Sequence, residues 1–294
     1  MRSMNNPTRP NSPSLRTLLI LGRVSNLPTV WSNCLAGWII SGGGELARFI
    51  LVCGGTTLLY VGGMFLNDAF DAEFDRQHRP ERPIPSGAIN LSAVWKWGFF
   101  WLSMGVVWLA CVGKTAALLA IVLALCIIVY DAIHKLFVLA PLLMATCRFL
   151  LILIASSAAY EGIVGLSYWT GLALASYIVG LSYLARKESA PSALQYWPCV
   201  LLGAPLLLAL IINRGPYQKG ALVLGALVLF WIIRSLGFTY WSRQINIGRS
   251  VSSLLAGIVL VDLLGTGGLV PADNLTFAGL FLLALVFQRL VPAT

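Results

Sequence analysis

The chain has 294 residues, of which 58% are hydrophobic and only 11% are charged. About a quarter of the residues of a soluble domain are usually charged, so this chain has too little polar surface to cover a water-soluble globule. Composition therefore excludes a soluble enzyme, a disordered protein and a disulfide-held secreted domain, and it predicts an all-α polytopic membrane protein. The net charge of +9 arises from cations scattered between apolar runs. Because no basic stripe with interleaved aromatic residues is present, we expect no nucleic-acid partner.

Residues 1–14 are rich in Asn, Pro, Ser and Arg, which predicts a disordered tail before a single transmembrane domain over residues 15–294. Apolar runs of about 20 residues predict about nine transmembrane helices. Glycines interrupt the last and longest run, so it is interpreted as one span followed by a further helix. The predicted spans are 24–43, 47–67, 91–112, 115–133, 136–160, 163–184, 196–212, 220–241 and 252–290.

Lys and Arg are concentrated in alternate connections between these spans. If the N-terminus is cytoplasmic, thirteen of the 20 Lys and Arg residues lie in cytoplasmic segments, and five, including Arg289, lie in segments on the other side. Cytoplasmic loops of membrane proteins carry such an excess of cations. The distribution predicts a multi-pass membrane protein whose N-terminus and longest polar connection, residues 68–90, face the cytoplasm.

A cluster of acidic residues follows the second predicted span. Asp68, Asp71 and Asp75 stand at positions i, i+3 and i+7, and Asn67 precedes them. On a helix this spacing places the three carboxylates on one face, where they repel one another unless a cation neutralises them. All-oxygen ligands without His or Cys suit Mg²⁺, which commonly binds through one or two carboxylates and substrate phosphates.

Three arginines come directly after these acids, at positions 76, 79 and 82. Guanidinium groups bind phosphate oxygens through paired hydrogen bonds. Carboxylates for a metal followed by arginines for an anion predict a site for a diphosphate and a metal ion. The alternative is a solvated loop in which Asp and Arg pair with each other at the level of the lipid headgroups.

The segment from Asn67 to Gly87, with the patterns NDxxDxxxD and RPxxSG, resembles the first aspartate-rich motif of the UbiA superfamily of intramembrane prenyltransferases. The predicted span layout is also similar. The resemblance implies Mg²⁺-assisted ionisation of an isoprenoid diphosphate, transfer of the prenyl group to an acceptor, and helices around a central prenyl-binding chamber. It implies catalytic roles for Asp68, Asp71, Asp75 and Lys135, and Mg²⁺ ligands at Asn67, Asp68 and Asp71.

Residues outside the acidic segment also resemble family positions. Arg23 and Asn33 resemble an Arg at the entrance of the first helix and an Asn within it, and Tyr130, Lys135 and Arg148 resemble a Tyr-x-x-x-Lys stretch and a polar residue in the fifth span. The alternatives are an interhelical hydrogen bond for Asn33 and a packing salt bridge for Arg148. The residues expected to bind substrate are Arg23, Asn33, Asn67, Arg76, Arg79, Arg82, Tyr130, Arg148, Arg186 and Lys187.

The chain departs from the family where a second aspartate motif is expected, at the end of the sixth span. That region contains no aspartate and reads Leu-Ala-Arg-Lys-Glu at residues 184–188. Arg186 and Lys187 are expected to contact the leaving diphosphate directly, with an ordinary positively charged loop as the alternative. Asp131 is a further candidate for the missing ligand. The stretch 184–188 and the segment 26–33 resemble the EboC branch of UbiA-like proteins.

Two classes of function remain open from the sequence. The first is a prenyltransferase whose partners are a prenyl diphosphate donor, a small-molecule or lipid acceptor and membrane lipids. The second is a non-catalytic membrane protein that binds or transports a prenyl lipid and has a degenerate second motif. Retention of the complete first motif favours the enzyme, because a lipid binder has no need of metal ligands.

Overall fold

The computed structural model describes residues 13–189, 195–212, 218–267 and 271–291, and every regular element within these ranges is helical. The predicted disordered tail lies outside the described residues except for Pro13 and Ser14, and the Ser14 side chain caps the first helix. The helices are α1 Leu15–Leu21, α2 Leu27–Ile40, α3 Leu46–Phe70, α4 Ala72–His78, α5 Leu91–Ala110, α6 Lys114–Ile133, α7 Ala140–Ala158, α8 Gly165–Ser189, α9 Trp197–Leu202, α10 Ala204–Ile212, α11 Gln218–Tyr240, α12 Ile247–Thr266 and α13 Pro271–Leu290.

Within the described ranges, seven helices are long and apolar enough to cross a membrane. They are α3, α5, α6, α7, α11, α12 and α13, and α2, α8 and the α9–α10 pair pack among them. The prediction of an all-helical membrane bundle is confirmed, whereas the predicted number of about nine spans is not.

Two predicted spans are divided in the structure. The run 196–212 becomes α9 and α10, which are separated at Gly203, because Pro205 in the first turn of α10 has no backbone N–H with which to continue the helix. The run 252–290 becomes α12 and α13, and Gly267 caps α12 with a left-handed conformation (φ 62°). Arg289 at the end of α13 lines the same groove as Arg249 near the start of α12. The expectation that these two arginines lie on opposite faces of the membrane is therefore wrong.

The helices divide into central and peripheral ones. In the most apolar stretches of α12 and α7, 67% and 61% of the residues are buried, compared with 22% in α6. Most residues of α2 are buried between α7, α12 and α3. The outer faces of α5, α6 and α11 expose large apolar side chains such as Val107, Leu118 and Phe230. In lipid these faces need no polar cover, which explains the low content of charged residues.

Helices α3 and α5 pack with their backbones in close contact. A Cβ atom at Gly62 would lie 2.7 Å from the backbone nitrogen of Leu102, and one at Gly105 would lie 2.9 Å from that of Leu59. Small residues allow such an approach in membrane helices. Because α3 ends in the acidic segment, this contact fixes the position of that segment relative to the bundle.

Two local features position the acidic segment and its basic neighbours. The helix is interrupted at Asp71, which separates α3 from α4. Arg23 precedes a short 3₁₀ turn, Val24–Asn26, and is the only non-glycine residue of the described chain with positive φ, at 41°. A left-handed conformation costs a non-glycine residue about 1–2 kcal/mol. Its side chain is thereby aimed at the end of α3, where it hydrogen-bonds to Asn67 and Asp68.

Candidate active site

The carboxylate of Asp68 is the centre of a buried charge cluster. Its Oδ1 atom accepts hydrogen bonds from Arg23 Nη2 and Arg82 Nη1, each at 3.1 Å. Arg23 also donates to Asn67 Oδ1 at 2.9 Å, and Asn67 Nδ2 donates to Asp131 Oδ1 at 2.9 Å. One carboxylate thus holds two guanidinium groups together near the end of α3.

Asp71 faces a different pair of basic residues. Its Oδ1 atom lies 2.6 Å from Lys135 Nζ and 3.4 Å from His134 Nε2, and the Lys135 ammonium lies 3.9 Å from the centre of the Phe74 ring. Burial by itself raises the pKa of Asp71, but the hydrogen bonds from His134 and Lys135 outweigh burial and lower that pKa below its ordinary value. Asp71 is therefore ionised and ties the α6–α7 connection to the end of α3.

Asp75 is the least neutralised of the three acids. Its Oδ2 atom lies 3.5 Å from Arg82 Nη1, and its Oδ1 atom is buried without a hydrogen-bond partner. Burial raises the pKa of Asp75; the Arg82 charge opposes this rise, and the charges of Asp71 and Asp68 add to it. Asp68 and Asp75 share Arg82, whereas Asp71 turns toward Lys135. The three carboxylates lie close enough for the charges of Asp68 and Asp71 to act on Asp75, but they do not share one basic partner.

Asp71 and its partner Lys135 line a cavity of about 440 Å³, together with Arg23 and Arg82, whereas Asp68 and Asp75 do not line it. Its basic wall includes Arg186 from α8, whose Nη1 atom donates to the backbone oxygens of Phe137 and Val138 at 3.1 and 2.9 Å. Side chains from α3, α4, α6, α7, α8 and the connection after α4 therefore face a common space. The predicted site residues that line the cavity are Arg23, Asn67, Asp71, Arg79, Arg82, Tyr130, Lys135 and Arg186.

A narrow apolar chamber of about 70 Å³ adjoins this polar cavity. Both spaces are lined by Met64, Tyr130 and Met144, so these three side chains form the boundary between them. The chamber continues between α3, α6 and α7, and it is lined mainly by apolar side chains such as Leu59, Leu123 and Leu151. The arrangement matches the chemistry of a molecule with an anionic head and an apolar tail.

Arg76 and Lys187, like Asp68 and Asp75, do not line the cavity. Arg76 pairs with Glu73 at 2.6 Å on the exposed face of α4. It follows Asp75 by one residue, which rotates its side chain by about 100° around a helix. Lys187 follows Arg186 by one residue and does not line the cavity either.

Asn33 and Arg148 belong to a second polar network inside the bundle. Arg148 Nη1 donates to Asn33 Oδ1 at 2.9 Å, and Asn33 Nδ2 donates to Asp262 Oδ2 at 2.7 Å, where Ser32 Oγ also donates. Asn33 is fully buried and thus links α2 to α7 and α12. Arg148 lines the apolar chamber opposite Tyr60.

Sequence reasoning missed His134 and Asp262 as parts of these networks. His134 stands alone in a short connection, and Asp262 lies in an apolar run far from the acidic motif. Neither residue belongs to a spacing pattern that would have identified it. The one available signal for Asp262 was the cost of an aspartate at membrane depth, which implies a polar partner.

The fit of the residues at the end of α3 to Mg²⁺ depends on which of their oxygen atoms are available. Within the described ranges, no three acidic, His or Cys side chains converge closely enough to hold one metal ion, because Asp68 and Asp71 are paired with basic groups. The donor set is nevertheless composed of oxygen atoms, and Asp75 Oδ1 and Asp131 Oδ2 are buried without hydrogen-bond partners. These residues fit an ion that is held by one or two carboxylates together with phosphate oxygens.

The fold and the site together define a helical membrane bundle with a charged cavity that leads into an apolar chamber. Residues 26–242 match the UbiA prenyltransferase family, so the chain belongs to this family and is an integral, multi-pass membrane protein. The predicted relationship to the UbiA superfamily is confirmed, and the closer resemblance to the EboC branch stays a prediction.

Three known proteins illustrate the relationship. Over 118 residues the chain is 32% identical to digeranylgeranylglyceryl phosphate synthase of Methanothrix thermoacetophila, a match that covers 40% of this chain and 44% of that protein. The matched stretch thus spans less than half of the relative. An apo UbiA homologue from Aeropyrum pernix K1 superposes with a TM-score of 0.67 at 17% identity, over 83% of this chain and 97% of that one.

The third is a UbiA homologue from Archaeoglobus fulgidus bound to GPP and Mg²⁺. It superposes with a TM-score of 0.53 at 13% identity, over 93% of this chain and 97% of that one. At these identities, both structural matches show a shared fold.

Proposed function

We propose that the protein transfers a prenyl group from an isoprenoid diphosphate to an acceptor inside the membrane. The observation that carries this proposal is the direct junction of the charged cavity with the apolar chamber at Met64, Tyr130 and Met144. A diphosphate in the cavity would meet the basic wall, and its prenyl tail would extend between α3, α6 and α7. Membership of the UbiA prenyltransferase family supports the same reaction.

The basic residues bind the donor and stabilise the charge that develops as it reacts. Heterolysis of the allylic C–O bond leaves the electron pair on the diphosphate and a positive charge on the prenyl C1 atom. Arg23, Arg79, Arg82, Lys135 and Arg186 supply hydrogen bonds and positive charge to the departing diphosphate. The acceptor then forms a bond to C1 and loses a proton.

Asn67, Asp68 and Asp71 would hold Mg²⁺ against the diphosphate. When bound, this ion neutralises charge on the leaving group. The Archaeoglobus fulgidus homologue, whose structure contains GPP and Mg²⁺, supports a role for this ion. In its absence Arg23, Arg82 and Lys135 keep the carboxylates neutralised in the fold.

Aromatic and apolar side chains protect the cation. Tyr130 lies at the boundary between the two spaces, and Tyr60 lines the chamber beyond it. An aromatic face attracts a cation within about 6 Å of its centre. Close apolar packing around the chamber excludes water, which would otherwise quench the cation.

The charged cavity is proposed to face the cytoplasm. The cations predicted to be cytoplasmic, including Arg79, Lys96 and Arg243, outnumber those on the opposite side. Placement of Arg289 beside Arg249 brings the end of α13 to the same face of the bundle. A reporter that is active only in the cytoplasm should therefore be active when it is fused to either end of the chain.

The proposed reaction is tested by diphosphate release from purified protein in lipid vesicles. Prenyl diphosphates of several lengths and a crude acceptor extract are supplied with Mg²⁺ or with EDTA. We expect release that EDTA abolishes and that the Asp68→Asn/Asp71→Asn variant reduces by at least about 10³-fold. The matched control Glu45→Gln/Glu161→Gln removes two exposed carboxylates at the opposite end of the bundle and should retain activity.

The alternative function, a non-catalytic prenyl-lipid binder or transporter, predicts a different result. Prenyl diphosphate would then raise the melting temperature of the protein without any release of diphosphate. This outcome would contradict the proposed transferase.

A further inference from the structure

A groove on the lipid-facing surface lies between α11, α12 and α13 and has no part in the site described above. Its volume is about 440 Å³. Each of the three helices contributes one exposed arginine, namely Arg234, Arg249 and Arg289. The rest of its lining consists of Phe230, Trp231, Phe238, Ser253 and Leu285.

The three guanidinium groups have no acidic partner among the described residues. None of the ion pairs in the described ranges involves them, and no carboxylate lines the groove. Three like charges that converge from separate helices repel one another, and the helices could expose them elsewhere. Their convergence is therefore best explained by an anion that occupies the groove.

Aromatic rings hold two of the arginines in place. Arg234 Cζ lies 5.0 Å from the centre of the Trp231 ring and 5.7 Å from that of Phe238, and Arg249 Cζ lies 4.2 Å from the Phe238 ring. Stacking of this kind orients the planar guanidinium and leaves its edge N–H groups available for hydrogen bonds. The groove thus presents pre-oriented donors.

The position along α11 identifies the source of the anion. Arg234 precedes the end of α11 at Tyr240 by six residues, which is about 9 Å along the helix axis. An exposed arginine at this depth is costly in a lipid bilayer unless an anion or water reaches it. Phe230 and Leu285 extend the groove as apolar surface. A ligand with a phosphate head and apolar chains would pair with the arginines and also cover the apolar surface of the groove.

We propose that this groove binds the phosphate headgroup of an anionic phospholipid. The three arginines bind the phosphate oxygens, and the acyl chains lie along the exposed apolar surface of α11 and α13. The site takes a phosphate group, as the catalytic cavity does, but no residue is common to the two linings.

The test is native mass spectrometry, together with thermal denaturation, of the whole protein in vesicles. Vesicles of phosphatidylcholine alone are compared with vesicles that also contain phosphatidylglycerol, and a third sample contains phosphatidylcholine with added inorganic phosphate. We expect phosphatidylglycerol to remain bound and to raise the melting temperature. The Arg234→Gln/Arg249→Gln/Arg289→Gln variant should lose this binding by at least about tenfold.

Two further variants make the result specific to the groove. Lys96→Gln/Lys114→Gln/Lys219→Gln removes three exposed cations at other helix ends and should retain the phosphatidylglycerol effect. Replacement of the three arginines by lysine keeps the positive charge and should retain part of the phosphatidylglycerol effect. Retention in this variant would also show that the fold tolerates substitution at the three positions. The proposal would be overturned if the Lys96→Gln/Lys114→Gln/Lys219→Gln variant lost phosphatidylglycerol binding to the same extent. It would also be overturned if inorganic phosphate had the same effect as phosphatidylglycerol.

Discussion

The ends of α3 and α8 face the same cavity but carry opposite charges. The end of α3 supplies Asn67, Asp68 and Asp71, each hydrogen-bonded to polar or basic neighbours. The end of α8 supplies Arg186, and the sequence there has two cations and no aspartate. This difference agrees with the proposal that the acidic wall holds Mg²⁺ and that Arg186 on the other wall donates to the diphosphate.

The largest effect is expected from the acidic wall. Asp71→Asn should lower the rate of diphosphate release by about 10³-fold and raise the Mg²⁺ concentration required for half-maximal activity, because it removes a metal ligand and leaves Lys135 without its carboxylate. A Mg²⁺ titration of the rate measures both effects. If the half-saturating Mg²⁺ concentration were unchanged in the variant, Asp71 would not be a ligand.

A smaller effect is expected from the basic wall. Arg186→Gln should lower the rate by about 10²-fold without changing the half-saturating Mg²⁺ concentration, because it removes a donor to the diphosphate and no metal ligand. Arg186→Lys keeps the charge and is the matched control, so its rate should lie between those of wild type and the Gln variant. A changed half-saturating Mg²⁺ concentration in the Gln variant would contradict the proposal that the two walls have different roles.

The smallest effect concerns the apolar chamber beyond both walls. Ile127 lines this chamber, so Ile127→Ala should enlarge it and shift the preference between short and long prenyl diphosphates by about tenfold toward the longer donor. The ratio kcat/KM for two donor lengths is the measurement. Ile121→Ala lies on the exposed face of the same helix and serves as control. Identical preferences in the two variants would indicate that the tail lies elsewhere.

The acidic motif was readable because its chemistry lies in one short segment. Asp68, Asp71 and Asp75 repeat at a spacing that places them near one another in any helical arrangement. Their individual partners were not predictable: Arg82 contacts Asp68 and Asp75, whereas Lys135 and His134 contact Asp71. Partners that come from the segment after α1 and from the α6–α7 connection depend on packing, for which a single sequence contains no direct signal.

Hydropathy predicted most helices for a similar reason. A long apolar run predicts a span wherever it lies in the sequence. Whether that run forms one helix or two depends on single residues such as Pro205 and Gly267. The misplacement of Arg289 followed from one such interruption, because an added helix reverses the face on which every later residue lies. The placement of Arg76 was missed because adjacent residues on a helix point in different directions.

The close contact between α3 and α5 has a mechanical consequence. With Gly62 and Gly105 close to the opposing backbone, α3 and α5 have little room to move relative to each other. The contact therefore restricts motion of the part of α3 that leads to Asn67 and Asp68. Any rearrangement that admits the donor must come from segments outside this contact, namely α4, the residues up to Asn90 and the connection between α6 and α7. We therefore expect the α3–α5 pair to be the rigid part of the site and the surrounding segments to be the mobile part.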